Sequence, residues 1–273
     1  MTMKTKYRIV VLSLNALGLC ATAHGAVLFS DNFNAADDTL NDADLTGRRG
    51  GTLASSIKLS SAKVQQNIAG NQLSMVDAAS GNGRVRFNND GSSGWFDWSA
   101  GSAGTDIITA GGFRVEFDFT PVNTTASTWV AFAAGFYNGA PVGEPGARLT
   151  DGDTDSAMLH RCNGGTQIFD SGSSTSGGSV TATAGPRKVV LTYGFTSWAD
   201  GSTVDFLATV DGITVADTSF QWNNNDAGEV NFELETNQTG MLIDNLVVST
   251  VPEPSSAALL GLAGLAMTLR RRR

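Results

Sequence analysis

Two pairs of acidic residues in this sequence are candidates for acid–base chemistry on a sugar polymer. Glu116 and Asp118 alternate in FRVEFDFT, and Glu233 and Glu235 alternate in FELET. Side chains two positions apart on a β-strand point to the same side, so each pair would present two carboxyl groups together. Glycoside hydrolysis uses two such groups. For Glu116 and Asp118 the polar outer face of an ordinary strand is the favoured explanation, and for Glu233 and Glu235 an exposed strand face, where neighbouring like charges are solvated, explains the pair equally well.

The segment DGDTDS suggests metal binding, because it spaces three carboxylates two residues apart. Asp151, Asp153 and Asp155 supply the oxygen ligands that Ca²⁺ prefers, and the segment begins like an EF-hand loop. Ser156 stands where that loop has glycine, and Cys162 stands where it has glutamate. These two residues argue against an EF-hand, and a solvated acidic loop is favoured over a looser calcium loop.

A second candidate for structural calcium lies near the two ends of the chain. Asp31 and Asp244 each precede an asparagine, in SDNF and LIDNL. If the first and last strands pair, these two carboxylates approach each other. Edge-strand polarity and Asx turns are the alternative explanation.

Tryptophans offer a way to bind sugars. Trp95 and Trp98 lie among glycine and serine in GWFDWSAG, and Trp198 and Trp222 lie in other loop-like segments. Indole faces stack on sugar rings, which makes Trp95 and Trp98 candidate carbohydrate contacts. Packing in the core or at its rim explains all four rings as well.

The segment LHRC contains the residue types of a Cys–His nucleophile, His160 and Cys162, but no third group that would orient the histidine. We therefore predict no catalytic residue and no organic cofactor. Cys20 lies in an N-terminal segment that we expect to be removed, which leaves Cys162 without a disulfide partner. On this basis Cys162→Ser is expected to leave stability almost unchanged.

Alternating apolar and polar residues predict that these groups are positioned by β-strands. Asp211-Gly212 separates two such runs and predicts a hairpin, because glycine accepts the positive φ of the turn. Frequent strands and the lack of a long helical pattern indicate an antiparallel sandwich or barrel, formed as one domain over residues 24–250. The main runs are FRVEFDFT, TWVAFAAGF, RKVVLTYGF, TVDFLATV, EVNFELET and MLIDNLVVS.

The strand order resembles the concanavalin A-like, laminin G-like domains of exported bacterial proteins. The resemblance rests on LFSDNFN near the start, VEFDFTP and VDG in the middle, and LIDNLVV at the end. It implies a jelly-roll sandwich of two antiparallel sheets with the first and last strands side by side. Family 16 glycoside hydrolases share this general fold and place glutamate, aspartate and a second glutamate on alternate strand positions. After Glu116 and Asp118 the next such position here is Thr120, which argues against that catalysis.

Both ends of the chain resemble targeting segments. Lys4, Lys6 and Arg8 precede the apolar run IVVLSLNALGLC and the small residues ATA, so residues 1–23 are predicted to be a signal peptide. Without the seven positive charges at the two ends, the formal net charge changes from −8 to about −15. Such a surface repels nucleic acid and anionic lipid, and is compatible with cations and neutral polymers.

Residues 251–273 have three parts in a fixed order. Pro252-Glu253-Pro254 is followed by a short apolar segment, Ser255 to Leu269, and then by Arg270, Arg271, Arg272 and Arg273. The apolar segment predicts one short transmembrane helix, with the arginines on the cytoplasmic side. The three-part order resembles the PEP-CTERM sorting signal of Gram-negative bacteria that make extracellular polysaccharide. This resemblance implies an exosortase as the processing partner.

These observations predict an exported protein that is tethered to the inner membrane as a precursor and then reaches the cell surface or the extracellular matrix. Its preferred function is non-catalytic binding or scaffolding of extracellular polysaccharide. A hydrolase or lyase that acts on such polymers, and a structural surface protein with no ligand, are the alternatives.

Overall fold

The computed structural model describes residues 25–34, 57–61, 67–75, 83–89, 95–121, 124, 128–136, 155–171, 173–223, 229–237 and 241–252. These residues form strands and one helix. The strands are β1 (Val27–Asp31), β2 (Ile57–Ser61), β3 (Asn67–Ala69), β4 (Gln72–Ser74), β5 (Gly83–Asn89), β6 (Gly112–Pro121), β7 (Trp129–Phe136), β8 (Ser156–Arg161), β9 (Gly165–Asp170), β10 (Ser173–Ser179), β11 (Arg187–Gly194), β12 (Thr203–Val210), β13 (Ile213–Gln221), β14 (Val230–Thr236) and β15 (Met241–Thr250). The helix is α1 (Gly101–Ala110).

The described strands form two sheets. Eight strands form one sheet in the order β13-β12-β11-β6-β15-β4-β3, with β1 also paired to β15. Seven strands form the other, in the order β10-β9-β8-β7-β14-β5-β2. The strand pairs that join these neighbours are antiparallel. The predicted all-β class and antiparallel two-sheet arrangement are confirmed.

Period-two alternation decides which side of each strand enters the core. On β6, Phe113, Val115, Phe117 and Phe119 are buried while the intervening side chains are partly exposed. Their apolar side chains pack against those of the other sheet in one continuous core. Burial of this apolar area is the main stabilising contribution to the fold.

Aromatic rings join the two layers. Phe113 of the eight-stranded sheet lies 4.7 Å, centroid to centroid, from Phe232 of the seven-stranded sheet. Phe29 and Phe87 make a second edge-to-face contact between the sheets, at 5.2 Å. Such pairs contribute beyond the area that they bury, because the ring quadrupoles favour these geometries.

The predicted hairpin at Asp211-Gly212 is confirmed. Asp211 and Gly212 have φ values of 52° and 76°, as the turn that matches the twist of paired strands requires. The Asp211 carboxylate also accepts hydrogen bonds from Arg187 Nε at 3.0 Å and from the Lys188 amide at 2.9 Å. The turn therefore fixes β11 as well as joining β12 to β13.

Helix α1 is an element that strand periodicity does not reveal. It ends at Gly111, whose φ of 80° is the left-handed conformation of a helix C-cap. Gly112 follows with φ 135°, and a Cβ there would lie 1.9 Å from the Tyr193 carbonyl oxygen. Glycine is required at this junction because the chain passes directly against β11.

Strands β1 and β15 lie side by side, so the expected pairing of the first and last strands is confirmed. No helix among the described residues is long and apolar enough to cross a membrane. The predicted signal peptide at 1–23 and the predicted helix from 255 to 269 lie outside the described residues.

Candidate functional site

An open groove of about 600 Å³ lies where the turn after β9 meets the ends of β12 and β13. Phe220 and Trp222 also line the groove, but both are buried and present little ring surface to solvent. Carboxylates, amides and hydroxyls therefore dominate its chemistry, as hydrogen bonding to a hydrated polymer requires. The polar residues that line it are Asp170, Ser171, Asp200, Thr203, Ser219, Gln221 and Asn223.

Asp155 lies buried beside this groove. Its carboxylate accepts hydrogen bonds from the backbone amides of Phe136 and Asn223, both at 3.0 Å. Burial raises the pKa of Asp155 to about 7, with Asp170 and Asp200 adding to the rise and the two hydrogen bonds opposing it. The two oxygens of the Asp155 carboxylate thus fix the backbone at Phe136 and at Asn223, next to the groove. Asp151 and Asp153, the other acids of DGDTDS, lie outside the described residues.

Pairing of β1 with β15 brings Asp31 close enough to influence Asp244. The pKa of Asp244 is raised by burial and then by the charges of Asp118 and Asp31. Asp31 accepts a hydrogen bond from the Phe33 amide at 2.7 Å, and Asp244 accepts one from the Asn245 amide at 2.7 Å. Within the described ranges, no group of three or more His, Cys, Asp or Glu side chains is arranged to hold a metal.

Asp118 and Asp244 face each other across β6 and β15, which predicts a local repulsion. Like charges directly opposite on paired strands are destabilising. We expect Asp244→Asn to raise the free energy of unfolding in calcium-free buffer by roughly 0.2–1 kcal/mol, measured by urea unfolding. Asp205→Asn, at an exposed position of β12, is the control for net charge, and an equal gain there would contradict a local origin.

A second site lies on the side of the seven-stranded sheet opposite the core. Here Arg84 and Arg86 of β5 interdigitate with Glu233 and Glu235 of β14, and we name these four residues the charge ladder. Arg86 Nε lies 2.8 Å from Glu233 Oε2, and Arg84 Nε lies 3.5 Å from Glu235 Oε1. All four side chains are buried. The interpretation of Glu233 and Glu235 as residues of an exposed strand face is therefore wrong.

On the strands next to the charge ladder, β7 and β8, this side of the sheet carries small residues. Glu233 pairs with Ala133, which in turn pairs with Ala157. These alanines form a separate apolar cluster with Trp95, and the Arg86 guanidinium carbon lies 4.9 Å from the Trp95 ring centroid. Burial raises the pKa of Glu233 to about 7, against the lowering effects of Arg86 and Arg84. Burial therefore favours the protonated form of Glu233, against the two arginines that favour the ionised form.

The two tryptophans of GWFDWSAG have different positions. Trp98 is 0% exposed and stacks on Phe232 at 4.4 Å, so in this structure it packs in the core and offers no ring face to solvent. Trp95 is buried on the opposite side of the sheet, beside the charge ladder. Asp97 between them accepts hydrogen bonds from the Ser99 and Val230 amides and thereby fixes this segment to the start of β14.

His160 and Cys162 are structural rather than nucleophilic. Burial lowers the pKa of His160 to about 4, and its Nδ1 lies 2.9 Å from Thr166 Oγ1. Burial raises the pKa of Cys162 to about 12, so its reactive thiolate is suppressed. The Cys162 thiol is free, as predicted, and lies 3.8 Å from Met241 Sδ.

Burial changes the expected result for Cys162→Ser. The serine hydroxyl would replace a thiol among apolar atoms, and we expect a loss of about 1–3 kcal/mol in the free energy of unfolding, measured by urea unfolding. A reducing agent should not alter the stability of the wild-type protein. Sensitivity of the wild-type protein to the reductant would instead indicate a covalent partner for Cys162.

Residues 250–273 match the PEP-CTERM protein-sorting motif, which agrees with the three-part order of the tail. No curated protein matches the chain. Among solved structures, the potassium-bound carbohydrate recognition domain of Emp46p is similar with 10% identity and a TM-score of 0.47, over 72% of this chain and 90% of that one. The corresponding domain of Emp47p has 12% identity and a TM-score of 0.43, over 76% and 94%.

A Trypanosoma rangeli sialidase is also similar, with 14% identity and a TM-score of 0.43, over 77% of this chain and 30% of that one. Likenesses at this level assign neither a ligand nor an activity to this chain.

Proposed function

We propose that this protein is exported, processed by an exosortase, and delivered to the cell surface or extracellular matrix, where its β-domain binds polysaccharide without catalysis. In this proposal residues 1–23 are removed as a signal peptide, 24–250 form a concanavalin A-like jelly roll, and 251–273 are the sorting signal. The motif match at 250–273 supports the proposed sorting by an exosortase. The side-by-side position of β1 and β15 supports the jelly-roll connectivity.

The observation that carries polysaccharide binding is the open polar groove. Its exposed acids and amides, such as Asp200, Gln221 and Asn223, can bond sugar hydroxyls in competition with water. The acidic balance of the chain, with a formal net charge of −8, favours a neutral polymer over an acidic one. A polysaccharide that lies along the groove and contacts several of these side chains gains affinity from many weak hydrogen bonds.

A binding experiment with groove variants tests this proposal. The mature domain is screened on an array of bacterial polysaccharides, and the affinity for the best ligand is measured by calorimetry for wild type, Gln221→Ala and Asp200→Asn. Loss of one hydrogen bond is expected to weaken binding roughly threefold to tenfold. Asp217→Asn, an exposed change on β13 outside the groove, is the control. If no polysaccharide binds, the protein is a structural surface component instead.

The tail predicts a processing event that a reporter can detect. Residues 251–273 fused to an exported reporter should yield a shortened, released or surface-held product in a host that contains an exosortase. Replacing Pro252-Glu253-Pro254 with three alanines should leave the reporter full-length in the inner membrane. A full-length, membrane-held reporter with the intact tail would refute the sorting signal and favour a permanent anchor.

Hydrolysis or eliminative cleavage of the polymer is the second candidate function, with the two glutamates of the charge ladder as its candidate carboxyl groups. Glu233 and Glu235 are buried on one side of β14, and the pKa of Glu233 lies near 7, as a proton donor at neutral pH requires. Prolonged incubation with the bound polysaccharide should release new reducing ends or unsaturated products if this function is correct. If the wild-type protein releases no such products, cleavage is ruled out and non-catalytic binding is the function that remains.

Structural calcium remains part of the proposal. The candidate ligands are Asp31 and Asp244 at the paired terminal strands, and Asp155 with Asp151 and Asp153 in DGDTDS. If the terminal strands bind calcium, chelation lowers the melting temperature of wild type but not of a variant carrying Asp31→Asn and Asp244→Asn. If chelation affects that variant but not Asp153→Asn, the site is DGDTDS. No effect of chelation on wild type would remove calcium from the proposal.

A further inference from the structure

The imidazole of His160 is buried between the two sheets. His160 lies two positions after Met158 on β8, so both side chains point into the core. The His160 ring packs edge-to-face against Phe119 of β6, which belongs to the other sheet, at 5.6 Å between centroids. Its Nδ1 lies 2.9 Å from Thr166 Oγ1, while its Nε2 has no hydrogen-bond partner among the described residues. Apolar packing and the Thr166 contact therefore hold a neutral ring in place.

A buried arginine lies close enough to His160 to act on its charge. Arg187, the first residue of β11, is 3% exposed, and after burial its charge is the next cause that lowers the pKa of His160. Arg187 Nε donates to Asp211 Oδ2 at 3.0 Å, and Nη2 donates to the Thr181 carbonyl oxygen at 2.8 Å. Arg187 Nη1 has no acceptor within the part of the chain that the structure describes. We name His160, Arg187 and Asp211 the histidine cluster.

The histidine cluster is balanced in charge only while His160 is neutral. Arg187 and Asp211 form one ion pair, in which the side chains are 2% and 39% exposed. A proton on His160 adds a second positive charge, and both ring nitrogens then carry an N–H. Thr166 Oγ1 can accept one of these, but no described group accepts the other. An uncompensated buried charge is strongly destabilising.

We propose that the histidine cluster is an acid-sensitive contact, which holds the two sheets together at neutral pH and releases this end of the sandwich in acid. His160 comes from the seven-stranded sheet, whereas Arg187 and Asp211 come from the eight-stranded sheet and its β12–β13 turn. Asp211 also accepts the Lys188 amide at 2.9 Å, so the turn and the start of β11 are held by the same group. Water that enters between β8 and β11 hydrates the protonated ring, which favours local opening there. This acid response does not require polysaccharide binding.

The direction of the pH effect follows from burial. Burial lowers the pKa of His160 to about 4 from an ordinary value of 6.5, Arg187 lowers it further, and Asp211 opposes them. The folded protein therefore binds this proton less tightly than the unfolded chain does, and the stability that neutral His160 contributes is lost as pH falls from 6.5 towards 4. Cys162, which also lies near Arg187, stays a neutral thiol in this range, because burial raises its pKa to about 12.

Urea unfolding of the purified protein at pH 7 and at pH 5 tests this effect. We expect the folding equilibrium constant of the wild type to fall roughly twentyfold relative to that of His160→Gln over this range, because glutamine does not titrate. Asp155 and Glu233, whose pKa values are raised by burial, change stability in the opposite direction, and comparison with the variant cancels their effect. His24→Gln removes the other histidine of the chain and should behave like wild type. A constant ratio between wild type and His160→Gln would overturn the proposal.

Two measurements on proteins that retain His160 apply even where His160→Gln fails to fold. The imidazole NMR signal of His160, assigned with His24→Gln, should still be that of a neutral ring at pH 5.5, and a titration midpoint near 6.5 in the folded protein would overturn the proposal. Hydrogen exchange, corrected for its intrinsic pH dependence, should show that acid increases opening at the Lys188 amide more than at the Trp98 amide, which bonds to Val230 away from the cluster. An equal increase at both amides would mean that acid unfolds the whole domain, which overturns the local contact.

Discussion

Replacing Phe232 with alanine is expected to lower the free energy of unfolding by about 3–5 kcal/mol, the largest effect of a single core substitution here. Phe232 is fully buried and its ring contacts Trp98, Phe113 and Phe132 at centroid distances of 4.4, 4.7 and 5.4 Å. These rings come from both sheets and from the segment before α1. Alanine would leave a cavity at the point where the layers meet.

Urea unfolding, monitored by tryptophan fluorescence and by circular dichroism, measures this loss. Leu207→Ala is the matched control, because Leu207 is a large apolar residue on β12 that is 40% exposed. Its loss should remain within about 0.5 kcal/mol. A Phe232→Ala variant as stable as Leu207→Ala would contradict the role of this ring in joining the sheets.

Local sequence predicts much of this fold because strand alternation is a local property. In FRVEFDFT the phenylalanines and valine share one face by geometry alone, and that face is the buried one. Asp211-Gly212 predicts its hairpin for the same reason, since positive φ at both positions depends only on the two residues. The position of the first strand beside the last came from a family resemblance, because local patterns do not determine pairing over such a distance.

The charge ladder was not predicted, because its burial depends on distant parts of the chain. Alternation in EVNFELET correctly places Glu233 and Glu235 opposite the core, but it does not show that this second side is also covered. Arg84 and Arg86 neutralise the two acids from β5, nearly 150 residues away in sequence. The useful signal was present in GRVRF, where two arginines alternate as the two glutamates do.

Helix α1 was not predicted, and Trp98 was left open between a sugar contact and core packing, for a related reason. A glycine- and serine-rich composition favours loops, yet residues 101–110 are helical, with Ile107 buried in the core and Gly111 as the cap. Trp98 lies just before the helix, and its amide donates to the Val230 carbonyl oxygen at 2.9 Å. Tertiary packing therefore overrides local propensity in this segment.

Glu233→Gln is expected to become more stable relative to wild type as pH rises from about 5 to about 8. Burial raises the pKa of Glu233 to about 7 from an ordinary value of 4.5, so the folded protein binds this proton more tightly than the unfolded chain does. Unfolding then releases a proton between these values, and the contribution of Glu233 to stability falls as pH rises. Glutamine stays neutral and does not lose this contribution.

Melting temperatures of both proteins, measured at half-unit steps from pH 5 to pH 8, test the direction. The charged groups that face Glu233 are Arg84 and Arg86, which favour its ionised form, and Glu235, which opposes it. With the pKa of this buried carboxyl raised to about 7, the change in relative stability between pH 5 and pH 8 is on the order of 3 kcal/mol. Glu235→Gln is the control, because it removes a carboxylate from the same two arginines. If the melting temperatures of both variants follow the same trend with pH, the effect belongs to the total charge of the ladder. If the difference in melting temperature between Glu233→Gln and wild type is constant across this pH range, Glu233 stays ionised when buried, held by Arg86.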